Sequence, residues 1–271
     1  MNKIDFAIII VATKCNPNGD PLCNNMPRRD LEGRGEITDV CLKRKVRDRL
    51  YENGENILIT DNAKTDDGIY SVKARVDTVK SLKNAKDAFE YRKIACKEWI
   101  DVRSFGQVFG FKDKKTGSVS VGIRGPVSIG IATTLDIVNV SQVMITKSIN
   151  HEKNESVKDS STVGYRYIID KGAYVAYGSV SPQLASLTGF DDNDLEKVKN
   201  AIINIFDNDQ SVHRPSGSLE SALIWAEHDC KNGRASSAKV HRSFHIRPQE
   251  EFPYYSYDIE PIDGVSVTVY N

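Results

Sequence analysis

The segment Ile4 to Ala12 is apolar on both faces and rich in isoleucine and valine. That pattern predicts a central strand covered from two sides. Directly after it the chain turns polar, and the stretch NPNGDPLCNNMPRRD, from Asn16 to Asp30, is punctuated by proline and glycine. Tight turns are expected there: Pro17 fixes φ, Asn18-Gly19 suits left-handed backbone, and Pro21 removes a donor. Thr38-Asp39 then reads as a helix start, followed by VCLKRKVRDRLY. In that helix Leu42, Val46 and Leu50 form one apolar stripe, with Val40 and Tyr51 further round the same side. Lys43 and Arg47 fall between the two groups, whereas Lys45, Asp48 and Arg49 are expected to face outward.

A polar stretch from Asn53 to Asp67 precedes SLKNAKDAFEYRKIACKEWI, a second helical segment in which Leu82, Ala85, Phe89 and Ile94 recur near helical spacing. From Ser118 to Thr133 the period becomes two, broken by Arg124-Gly125-Pro126, which gives strand, bend, strand. Val138 to Thr146 and Tyr174 to Val180 are further strands. They bracket KSINHEKNESVKDSSTVGYR, whose many charges and few apolar residues predict a projecting loop or hairpin. Asp191 and Asp194 stand at capping-box spacing ahead of a third helix, DDNDLEKVKNAIINIF. SAKVHRSFHI is read as a strand, Lys231 to Ser237 as a basic insertion, and Ala222 to Ala226 and Val265 to Tyr270 as late strands. The helices alternate too irregularly with the strands for a doubly wound sheet. The expected class is α+β: a mostly antiparallel sheet with helices on one face and long excursions.

Composition narrows the functional classes. With 37 Lys plus Arg against 37 Asp plus Glu in 271 residues, any site for a polyanion must be local. Cys15, Cys23, Cys41, Cys96 and Cys230 are odd in number and lack CxxC spacing, which argues against a disulfide framework or a structural zinc and fits a reducing cytoplasm. The first apolar run is too short to span a membrane. Lys43 and Arg47 either snorkel to water, pair with an internal carboxylate, or meet an anion at that edge of the helix; with Arg28, Arg29 and Arg34 of the opening loop they form a basic cluster, for which phosphate is the natural anion.

Catalytic signals are weak. Asn16, Asn18 and Asp20 alternate as in a calcium loop, but the positions that should hold Gly and Glu are Pro21 and Pro27. His241 and His245 share a face if their segment is a strand, without a third metal ligand nearby in sequence. His213 and His151 lie in polar surroundings. Asp30, Asp39, Asp66 and Asp67 offer carboxylates; Asp39 is accounted for as a helix-start residue and the others as loop residues.

The ordered series NPNGDP, NMPRRD, TDVCLKRKVRDRL, DVRSFGQVFG, IRGPVSIGIA, ITKSIN and STVGYRYIIDKGAYVAYGSVSPQLASLTGFDDNDLE resembles the CRISPR-associated backbone subunits of type I Cascade complexes, the Cas-seven family, and its type I-C branch in particular. The resemblance implies one RRM-like (ferredoxin-like) palm over residues 1–271, with a finger near 53–115 and a thumb near 148–166. It implies a non-catalytic subunit without cofactor, whose copies stack head to tail on a guide RNA beside other Cascade subunits and present it to a target DNA strand. Asn16, Asn18, Arg28 and Thr38 would contact that RNA from the opening loop, and Lys43, Arg44 and Arg47 from the helix. Gln107 and Val108 would do so from the finger, and Lys147, Ser148 and Arg166 from the thumb, where Tyr165 or Val163 offers a wedge. The NPNGDP turns would present backbone N–H groups and Asn side chains to phosphate. An RNA-cutting relative would use Asp30, and a guide-processing nuclease His241 or His245.

Overall fold

The computed structural model describes residues 1–61, 63–65, 67–113, 117–146 and 163–271. Strand β1 (Ile4–Cys15) is followed by the two-residue strands β2 (Gly19–Asp20) and β3 (Met26–Pro27), which pair with each other, then β4 (Arg34–Ile37) and helix α1 (Asp39–Glu52). Helices α2 (Val72–Thr78), α3 (Lys80–Lys83), α4 (Ala88–Glu98) and α5 (Ile100–Phe105) lead into the hairpin β5 (Gly106–Asp113) and β6 (Gly117–Arg124). Strands β7 (Val127–Ile129), β8 (Ala132–Ile137) and β9 (Val140–Thr146) all pair with the long β10 (Val163–Val180). After helices α6 (Pro182–Thr188) and α7 (Asp192–Ile203) come β11 (Leu219–His228), helix α8 (Ser237–Ser243), the hairpin β12 (Phe244–Pro248) and β13 (Tyr255–Ile259), and finally β14 (Val265–Tyr270).

The main sheet is antiparallel and runs β14-β11-β1-β10-β8-β4. Burial of β1 on both faces explains its apolar run. Phe6, Ile8 and Ile10 face the core shared with Leu42, Val46 and Leu50 of α1 and Val198 and Ile202 of α7. Ala7 and Ile9 face a second core closed by Val240 and Phe244. Helix α8 therefore sits opposite α1 and α7, so helices cover both faces of the sheet and not one.

A separate core, with Leu58, Leu82, Tyr91, Trp99, Phe109 and Ile123, is built by the helical insertion and the β5–β6 hairpin. Asp87 caps α4 by accepting from the Glu90 N–H, 2.8 Å away, and that cap resets the helical phase predicted across this region. Phe89 is consequently 73% exposed, while Tyr91, Ala95 and Cys96 turn inward. Two charged bolts tie the insertion to the main body. Arg103 donates from Nε and Nη2 to Asp194 of α7, each at 2.7 Å. Asp101 accepts from Arg47 Nε of α1 at 3.2 Å. The Asp191–Asp194 capping box of α7 is present as its spacing predicts.

SAKVHRSFHI is a helix capped by Ser236 and then a strand, which puts His241 on α8 and His245 on β12. No helix among the described residues is long and apolar enough to cross a membrane.

Candidate nucleic-acid interface

Where β1 ends, three distant segments close on one another. The backbone N–H of Thr13 donates to Ser218 O at 2.9 Å and that of Asn16 to His213 O at 2.8 Å, so residues 213–218 run as a strap along the strand end. From β10, Arg166 Nη1 donates to Val212 O at 3.1 Å. On the other flank Asn18 Oδ1 accepts from the Thr38 N–H at 3.0 Å and from the Thr38 hydroxyl at 3.2 Å. Thr38 in turn caps α1 by accepting from the Cys41 N–H at 3.2 Å. Arg28 donates its backbone N–H to Asn18 O at 3.0 Å and leans its side chain on Asp20 at 3.4 Å.

Two residues of the opening loop have partners within the chain. Asn18 is engaged in fixing the start of α1, and Asn16 is buried, donating from Nδ2 to Asn25 O at 2.7 Å. Left-handed backbone falls at Asn24 and Asn25, with φ of 51° and 56°, and not at Asn18-Gly19. These bonds tie the loop to the start of α1 and to its own turn at Asn25.

The cations themselves separate into two sets. Arg47 is a structural group: its side chain is 14% exposed, its guanidinium lies 5.1 Å from the Phe105 ring centroid, and its Asp101 partner is 1% exposed. Asp101 also accepts from the N–H groups of Leu58 and Ile59 at 2.9 and 3.1 Å, so in this structure Arg47 takes the internal-carboxylate alternative. Lys45, expected outside, is 5% exposed and pairs with Asp209, which also holds Arg214 at 2.8 Å. Burial pulls the Lys45 ammonium below its ordinary pKa.

The second set stays at the surface. Lys43 bonds Asp39 at 2.8 Å, and this interaction holds the Asp39 carboxyl below the usual range. Arg44 pairs with Asp61 and is about half exposed. Arg28 follows β3, and Arg166 lies on β10 three residues before Ile169, the partner of Cys15. The Nε atoms of both arginines are buried and lack a hydrogen-bond partner among the described residues, as do Asn16 Oδ1, His213 Nδ1 and Ser218 Oγ. Four more such atoms, on Asp5, Arg49, Arg92 and Ser104, lie elsewhere, so five of the nine among the described residues belong to the opening loop, the strap and Arg166.

Val108 on β5 is 68% exposed beside the partly exposed Gln107, and Tyr165 and Val163 are exposed on β10. Lys147, Ser148, His151, Asp66 and most of the expected thumb lie outside the described residues.

The alternative catalytic residues are otherwise engaged. Asp30 Oδ1 accepts from the N–H groups of Glu32 and Arg34 at 2.9 and 2.8 Å, an Asx-type turn. His241 Nε2 lies 3.0 Å from Gly178 O, and His245 lies 3.6 Å from Glu260. Among the described residues no group of three or more His, Cys, Asp or Glu side chains is placed to hold a metal.

The strap was missed at the level of sequence. Its only local signal is the punctuated HRPSG before β11, and its partners lie on β1 and β10.

Architecture and site together define a mixed α/β protein built on an antiparallel sheet, with Arg28 and Arg166 on the segments that meet near one end of its central strand. The chain belongs to the CRISPR-associated protein Cas7 family, whose profile it matches over residues 2–263. It is 30% identical over 182 residues to a CRISPR-associated protein Cas7 of Haloferax volcanii, a match covering 60% of this chain and 47% of the relative. The chain thus spans about half the length of that curated relative. Among solved structures, a chain of a CRISPR RNA-guided surveillance complex, pre-nicking, superposes with a TM-score of 0.50 at 14% identity, covering 83% of this chain and 78% of the other. That similarity is one of fold.

Proposed function

We propose that the protein is a non-catalytic backbone subunit of a type I-C Cascade complex that holds guide RNA by its sugar–phosphate chain. Membership of the Cas7 family supports the Cascade setting. The strand order β11-β1-β10-β8 supports an RRM-like palm, because α1 follows the first of these strands in the chain, α7 precedes the last, and both pack on one face. The insertion core with exposed Val108 corresponds to the finger, and the β9–β10 hairpin leads to the thumb. Copies stack head to tail on the guide beside other Cascade subunits, in the cytoplasm, and leave its bases to a target DNA strand.

The observation that carries this reading is the pair of guanidiniums, Arg28 and Arg166, on segments that meet near the end of β1, each with a buried Nε that lacks a hydrogen-bond partner among the described residues. Guanidinium groups suit phosphate geometry, and interactions of that kind fix a strand without reading its letters. Lys43 and Arg44 extend the cationic border along α1. Purification with the natively co-expressed partners is the test. A stacked particle containing RNA of uniform length is expected; a particle free of RNA would overturn the reading.

A further inference from the structure

The two end strands of the order β14-β11-β1-β10-β8-β4 are built differently. Strand β4 has four residues, carries Arg34 and Glu36, and shifts register between them, so it is short, charged and bulged. Those are devices that keep a foreign strand from adding to an edge. Strand β14, VSVTVY, has six residues, no charge, no proline and an unshifted register against Leu223–His228 of β11. Among the described residues, the backbone of Ser266 to Tyr270 makes no hydrogen bond beyond that ladder.

The faces beside this edge differ in chemistry. Ser266, Thr268 and Tyr270 lie on the α7 side and border a 190 Å³ cleft that also holds Asp192, Glu196 and Glu227. Two of these carboxylates already have cations: Lys199 is engaged with Glu196 at 2.7 Å and sits over the rings of Trp225 and Tyr270, and the N-terminal ammonium lies 3.3 Å from Asp192. Glu227 is exposed and has no cationic partner among the described residues. On the other side Val265, Val267 and Val269 pack at the rim of the second core beside Ile262.

We propose that β14 is a docking edge for an extended segment of a separate protein in which lysine or arginine alternates with aliphatic residues. Side chains of an added strand project alternately to the two faces, about 5 Å beyond β14. Its cationic side chains reach towards Glu227, and its aliphatic ones extend the valine rim. The backbone ladder supplies attachment, and the charge pattern sets register. This edge lies on the far side of β11 from β10 and is independent of the RNA reading.

The test uses a labelled, end-capped hexapeptide alternating lysine and valine, titrated into the full chain by fluorescence anisotropy, with hydrogen exchange monitored at residues 266–270. Saturable binding with slowed exchange there is expected. It should weaken at least tenfold when alternate peptide nitrogens are methylated, when glutamate replaces the peptide's lysines, and in Glu227→Lys. Thr268→Pro provides a backbone variant, and Glu227→Lys keeps the test valid if that variant does not fold. Absence of saturation at millimolar peptide, or binding indifferent to N-methylation and to Glu227→Lys, would overturn the proposal. So would self-association of the chain through residues 266–270, which would assign the edge to a second copy.

Discussion

Replacing Asp101 by alanine should loosen the insertion from the main body. The carboxylate is 1% exposed and accepts at 2.9 Å from Leu58 N–H, at 3.1 Å from Ile59 N–H and at 3.2 Å from Arg47 Nε. Its loss strands a guanidinium whose side chain is 14% exposed. Breaking one side of a buried pair costs about 3–5 kcal/mol. The two orphaned N–H groups add about 1–3 kcal/mol each, less than additively because one carboxylate serves all three donors. The expected total is about 4–6 kcal/mol, a large part of the ~5–15 kcal/mol that stabilises an ordinary domain.

Urea unfolding followed by tryptophan fluorescence is the suitable assay, because Trp99 lies in the insertion core and Trp225 in the main core. Asp101→Asn, which keeps an acceptor, should cost less. Combined with Arg47→Met, it should cost about 1–3 kcal/mol less than the sum of the single changes. A loss below about 1 kcal/mol for Asp101→Ala, or zero coupling, would refute the structural role of the pair. So would an Arg47→Met protein of unchanged stability whose RNA affinity collapses.

Other expectations follow from burial and close approach. Burial pushes the thiols of Cys15 and Cys96 up from 9.0 to about 11. Each stabilising contribution is therefore complete below pH 9 and lost as pH rises towards 11, on the order of 2 kcal/mol per thiol. Unfolding curves across that window should fall less steeply in Cys15→Ser, and at pH 8 iodoacetamide should label the exposed Cys23 well ahead of both. A Cβ at Gly178 would lie 2.2 Å from Phe6 Cζ and 2.5 Å from Ser128 O. Gly178→Ala should consequently disturb the Phe6–Trp225 stack, cost about 1–3 kcal/mol, and shift Trp225 emission; an unchanged spectrum and midpoint would refute it.

The elements that were legible in sequence are those specified by neighbours. The β1 run announces a two-sided strand, Thr38 a cap, and Asp191 with Asp194 a capping box. The side-chain assignments on α1 were harder, because their partners are remote. Lys45 turns inward to Asp209, 164 positions away, and Arg47 to Asp101, 54 positions away. Helical spacing places a side chain on a face but does not say whether a carboxylate waits there. The same limit hid the strap at 213–218 and made α8 look like a strand, where Ser236 supplies a cap to a stretch with period-two pattern.

Affinity for single-stranded RNA, measured against salt for two unrelated sequences, tests the central claim most directly. The unsubstituted protein should bind both about equally. Arg28→Ala with Arg166→Ala should weaken both alike and flatten the slope of log affinity against log salt by roughly 0.7 for each phosphate no longer neutralised. An unchanged slope, or a weakening confined to one sequence, would contradict a backbone grip at the end of β1.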